Sequence, residues 1–216
     1  MTLPNFLKQY PRLTRSFKEF VIGYEKQLDA ETFKAFLLSL DNELSRVRDD
    51  LMEVPTGTLR ARALHALVEE EIDSEKDIQI SCRKGCAACC HMEVEVTSHE
   101  ARILGNLVKE GHTIDRERLK KQSQRELQDP QWKQGKRNAD NPCVFLNDEG
   151  SCSIYEHRPV MCRRHSVTTP AKNCETLDAN ITVRYFPKVD LYISAANEDS
   201  TMTIGPMAKM LSLELT

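Results

Sequence analysis

The residues with the widest chemical reach are the run Cys82-Arg83-Lys84-Gly85-Cys86-Ala87-Ala88-Cys89-Cys90, in which gaps of three, two and no residues bring four sulfurs into one short loop. Such a loop can curl around a thiophilic ion, because zinc and iron-sulfur clusters both accept four thiolates. Gly85 relaxes the backbone just before Cys86, where a metal-binding knuckle must turn, and Ala87 and Ala88 leave space for the sulfurs to converge. Consecutive side chains diverge, so Cys89 and Cys90 are not expected to share one tetrahedral ion. Either they serve different metals or one of them is a buried structural thiol.

Cys143, Cys152, Cys162 and Cys174 complete the eight cysteines. Val144, Phe145 and Leu146 precede Asn147-Asp148-Glu149-Gly150, and Ile154 and Tyr155 follow it. This pattern predicts a hairpin whose turn is flanked by Cys143 and Cys152 on one side. Arg158-Pro159 is expected to start a helical turn that presents Cys162. A four-thiolate site carries net negative charge, which Arg83, Lys84, Arg158, Arg163 and Arg164 are placed to offset. Arg83 and Lys84 read equally well as solvated surface cations. His91, His157 and His165 are alternative ligands through a neutral imidazole.

The competing use of eight cysteines is a disulfide framework, which needs an oxidising compartment. Residues 1–10 hold one lysine, no apolar segment and no small-residue cleavage site, and no apolar run reaches membrane-spanning length. The expectation is a soluble, cytoplasmic chain with thiolate ligands and no membrane partner. With 216 residues, 40% of them hydrophobic, the chain can build a core without staples. Its 30 basic and 33 acidic residues lack the positive excess of a dedicated nucleic-acid binder.

Metal-activated catalysis and metal binding alone both stay open, and an open coordination position is what would separate them. No nucleophile–base pair or phosphate-cradling glycine loop accompanies the cysteines. Glu93, Glu95 and Glu100 read more simply as strand and helix-capping residues. The spacing Cys82-x3-Cys86-x2-Cys89 also matches the bare pattern of radical S-adenosylmethionine enzymes. However, Ala88 stands where an aromatic residue is usual, and alternating strands and helices are missing.

The elements that must position this chemistry are mostly helical. Leu13, Phe17, Phe20, Val21, Tyr24 and Leu28 recur at helical spacing, and Asp29 can cap a second helix carrying Phe33, Phe36, Leu37, Leu40, Leu44, Val47 and Leu51. Pro55 and Gly57 break it before a third helix with Leu59, Ala63, Leu67 and Ile72. His65 there reads as a surface or core residue. Met92, Val94 and Val96 alternate with Glu93 and Glu95 as a short strand. Thr97 with Glu100 marks a capping box that opens a helix running to Gly111, and a further helix is expected from Asp115 to about Leu127. Asp129–Asn141 reads as a loop that metal or a partner would order.

At these residues the chain resembles the bacterial YkgJ-type cysteine-cluster family, a zinc- or iron-chelating domain. The resemblance rests on Cys82-x3-Cys86-x2-Cys89-Cys90, Thr97 with Glu100, Cys143-Val-Phe-Leu, and Cys152-Ser-Ile-Tyr-Glu-His-Arg-Pro-Val-Met-Cys162-Arg163. It implies chelation of zinc or an iron-sulfur cluster. Through a relation to flagellin lysine N-methylases, it also implies the alternative of iron-sulfur-dependent methyl transfer from S-adenosylmethionine to protein lysine. The fold expected is mainly α with a small β-hairpin, a helical N-terminal region (1–78) packed on a cysteine-rich metal-binding domain (79–176), and a C-terminal extension (177–216) on the same core. The outer segments carry no family motif and are where a protein partner would be set.

Overall fold

The computed structural model describes residues 1–75, 78–130, 141–176 and 179–216. Among these residues the chain is mainly α-helical with one small antiparallel two-stranded sheet. In chain order the elements are α1 (Leu3–Gln9), α2 (Arg15–Glu25), α3 (Ala30–Glu53), α4 (Thr58–Ser74), β1 (Glu95–Thr97), α5 (Ser98–Lys109) and α6 (Arg116–Gln122). There follow α7 (Val160–Arg164), α8 (Pro187–Asn197), β2 (Ile204–Pro206) and α9 (Met207–Leu215). They form two compact units, Met1–Ser74 with Tyr185–Met202, and Glu75–Arg184 with Thr203–Thr216.

The first unit is a helical bundle. Thr14 caps α2 by accepting the Phe17 N–H, and Asp29 caps α3 by accepting the N–H groups of Glu31 and Thr32, so each helix starts at a side chain that satisfies its orphan donors. Phe33, Leu37, Leu44, Val47 and Leu51 give α3 one buried face, and the helix ends before Pro55. α4 buries Ala61, Leu64 and Val68, with His65 among them as a core histidine. Against α2, α3 and α4 packs α8, in which every residue from Val189 to Asn197 is buried. Its one buried acid, Asp190, accepts from the Thr14 and Ser16 hydroxyls at 3.0 Å each. Polar satisfaction of this kind lets a charged residue sit in a core.

The second unit holds all eight cysteines. Its apolar centre joins Val96, Ala101, Leu104, Leu107 and Val108 to Leu119, Val144, Phe145 and Ile154, and is completed by Met207, Ala208, Met210 and Leu211 of α9. α9 approaches α5 so closely that a Cβ on Gly105 would stand 3.0 Å from Glu214 Cβ. β1 pairs antiparallel with β2, Val96 opposite Gly205.

The alternation at Met92–Val96 thus becomes a strand over Glu95–Thr97, and its partner comes from the far end of the chain. The turn at Asn147–Gly150 closes on an antiparallel bridge between Leu146 and Cys152. α6 ends at Gln122, short of Leu127, and Leu127 and Gln128 serve instead in a cavity wall. Most of the expected loop at Asp129–Asn141 lies outside the described residues.

Candidate metal centre

The first cysteine run is held at its start by Val167. Ser81 N–H donates to Val167 O (2.8 Å), and Val167 N–H donates to Cys82 Sγ (3.4 Å). Gly85, at φ +90°, makes the turn before Cys86, a backbone region that side-chain-bearing residues avoid. A short 3-10 turn over Ala88–His91 then sets Cys89 and Cys90, and a second one over Ala171–Glu175, carrying Cys174, packs against it.

The second run is tied directly to the first, since Cys143 N–H donates to Cys90 O at 2.7 Å. Phe145 N–H points at Cys143 Sγ (3.5 Å), and Asn147 Oδ1 accepts from Ser151 N–H (2.8 Å), drawing the turn shut so that Cys152 returns beside Leu146. α6 braces this loop from outside. Arg118 donates to the carbonyls of Cys143 (3.3 Å) and Leu146 (3.0 Å), and Gln122 donates to that of Pro142 (2.8 Å). Neither was singled out by the sequence, although their i, i+4 spacing places both on one helix face.

Cys162 is delivered by α7. Buried Glu100 accepts from Thr97 N–H and Oγ1 through Oε2 (3.1 Å each), closing the capping box, and through Oε1 it accepts the Val160 N–H (2.8 Å). Arg163 donates to the carbonyls of Arg158 (2.6 Å) and Glu156 (2.7 Å), bracing the same turn from its other side.

The electrostatic neighbours of each thiol divide the set. Cys143 and Cys152 act on both Cys90 and Cys162, Cys86 and Cys174 act on Cys82, and Cys89 acts on members of both groups. Cys90 hydrogen-bonds with Cys152 and Cys89. Those bonds raise Cys90 itself while lowering Cys152 to about 6 and Cys89 to about 7, with the Arg158 guanidinium adding to both lowered values. Burial pushes Cys143 up to about 12 and Cys162 well above the ordinary thiol range. Arg158 lies 3.7 Å above the Tyr155 ring and acts on Cys89, Cys152 and Cys162, while Arg118 acts on Cys143, so both are cations that offset the charge of the sulfurs. Arg83 is exposed, and Lys84 pairs with Glu156 at the surface.

A cavity of about 310 Å³ opens against this cluster, walled by Cys89, Cys162, Glu93, Glu95, Arg164 and His165, with Met92, Val94, Leu127, Gln128 and Met161 completing it. Gln128, at φ 61°, donates its N–H to Glu93 (3.0 Å). Burial and the neighbouring Glu93 raise Glu95 above its ordinary value against the pull of Arg164, while burial and Arg164 lower His165. His165 thus shares the cavity wall with Cys89 and Cys162.

All eight cysteines are free thiols. Among the described residues no three Cys, His, Asp or Glu side chains already stand in a metal-binding arrangement. The chemistry of the donors nonetheless fits a thiophilic ion. Cys82, Cys143 and Cys152 each accept a backbone N–H, which favours the thiolate, and the guanidinium of Arg158 offsets gathered negative charge. Sulfur donors of this kind select zinc or iron-sulfur centres over magnesium or calcium.

No curated protein and no solved structure gives a significant match to this chain. Residues 81–184 match the model of the CxxCxxCC family, described as a "putative zinc- or iron-chelating domain". The stretch that gathers the sulfurs, from just before Cys82 to beyond Cys174, is therefore similar to a metal-chelating cysteine-cluster domain.

Proposed function

We propose that this protein chelates metal through two four-sulfur sets, Cys82, Cys86, Cys89 and Cys174 in one and Cys90, Cys143, Cys152 and Cys162 in the other. The grouping of Cys82, Cys86 and Cys174 apart from Cys143, Cys152 and Cys162 supports this reading; Cys89 acts on both groups, and it and Cys90 are assigned to different sets because consecutive side chains diverge. The ion is zinc, or iron within an iron-sulfur cluster. Free thiols throughout favour a reducing compartment, the cytoplasm. When bound, the metal would supply cross-linking and, as iron-sulfur, electron transfer. The chain's own contribution is to present thiolates and to damp their charge through Arg158 and backbone N–H groups.

Metal analysis and a visible spectrum of anaerobically purified protein test the reading. Two metal equivalents or two clusters are expected, with Cys86→Ser losing one and Cys143→Ser the other. Iron-sulfur protein would be coloured, and zinc protein colourless. Full metal content in both variants would overturn it. The second reading, an iron-sulfur methyltransferase using S-adenosylmethionine on protein lysine, is favoured only by the cavity at Cys89 and Cys162, and requires methyl transfer in a direct assay.

A further inference from the structure

We infer that the cavity walled by Cys89, Cys162, Glu93 and Glu95 is the route by which a divalent metal ion reaches the thiols, with the two carboxylates drawing it in. This rests on the chelation reading and adds to it the path and its charge. One cysteine from each proposed set opens into the cavity, so a single passage serves both. Among the described residues of the wall, the carboxylates Glu93 and Glu95 outnumber the guanidinium of Arg164. A water takes up roughly 30 Å³, so a cavity of about 310 Å³ admits an ion still carrying its first hydration shell. The same volume lies at the bottom of the range of small-molecule pockets, roughly 300–1,000 Å³. Met92, Val94, Leu127 and Met161 give the passage apolar sides, which focus the carboxylate field along it. An ion held loosely by carboxylate oxygen then passes to sulfur, the softer and stronger donor for zinc-like ions.

The test is the rate at which reduced, metal-free protein takes up Co(II), a probe whose thiolate complexes are coloured. In the double variant Glu93→Gln/Glu95→Gln the association rate constant at low salt is expected to fall about tenfold or more and to lose most of its salt dependence. The final amount of cobalt bound reports the sulfur ligands separately and is expected to stay the same. Val94→Trp, which narrows the passage without changing charge, is expected to slow uptake at every salt concentration, and it keeps the test decisive should the double variant fold poorly. Unaltered rates in both variants, or loss of a whole metal equivalent in the carboxylate variant, would overturn the inference. If the unaltered protein takes up cobalt but the variants match its rate, the route alone is wrong. Should the unaltered protein take up none, the chelation reading falls with it.

Discussion

The carboxylate of Glu100 holds the backbone N–H of Val160 at 2.8 Å, so the residue that caps one helix also fixes the start of the turn bearing Cys162. Glu100→Ala leaves the Val160 and Thr97 donors buried without this acceptor and is expected to cost about 2–4 kcal/mol. Denaturant unfolding of the metal-free protein measures it. If α7 is the element lost, metal affinity drops as well, and Glu100→Gln, which keeps an acceptor oxygen, recovers part of both.

Thiol reactivity should separate Cys152 from Cys143. The thiolate is the nucleophile, Cys152 is lowered to about 6, and Cys143 is raised to about 12. In metal-free protein at pH 7, Cys152 is expected to react with iodoacetamide while Cys143 stays protected. The rate at Cys152 should fall as pH drops through about 6. Removing its hydrogen-bond donor, Cys90→Ala, moves that midpoint upward. Peptide mapping of the alkylated protein reads both sites.

In the helical unit Arg60 pairs with Asp199, their side chains 13% and 2% exposed. Burial works against ionised Asp199, but the bonds from Thr201 and Arg60 outweigh it and hold its pKa below the ordinary carboxylate value. A depressed folded pKa makes the pair's contribution complete above the unfolded value of about 4 and lost as pH falls through the lower, folded one. Arg60→Ala, which leaves a buried charge unpaired, should therefore cost about 3 kcal/mol at neutral pH. Below pH 3 the difference from the unaltered protein should shrink, as thermal unfolding across pH would record.

Leu211 of α9 is fully buried in the core of the cysteine unit. Leu211→Ala is expected to destabilise by about 2–5 kcal/mol. Bound metal should restore much of the folded population, because ions that bind only the folded state add their binding energy to it. Melting curves with and without metal would show the rescue.

The helices that announce themselves in the sequence are those with a cap and one wet face. Asp29 before α3 and Thr97 with Glu100 before α5 are local signals, read within a single turn. α8 is different. Val189-Asp190-Leu191-Tyr192-Ile193-Ser194-Ala195-Ala196 is buried all round, so no apolar stripe stands out against a polar one. The β1 partner, Ile204–Pro206, is three residues long and acquires meaning only by pairing with a segment more than a hundred residues earlier. At the metal centre the close spacing of Cys82 to Cys90 was legible. The support from Arg118, Gln122 and the second oxygen of Glu100 was not, since each reaches its carbonyl or amide across 20 to 60 positions.

The chain leaves the cysteine unit after Arg184, contributes Tyr185–Met202 to the helical unit, and comes back as Thr203–Thr216. The stretch similar to a cysteine-cluster domain, residues 81–184, consequently does not contain all of the unit that holds the cysteines. Grafted alone into another protein it would arrive without the strand opposite Val96 and without the helix that closes over Leu104 and Leu119. A transplant has to carry Thr203–Thr216 too, and evolution, shuffling gene segments, faces the same requirement.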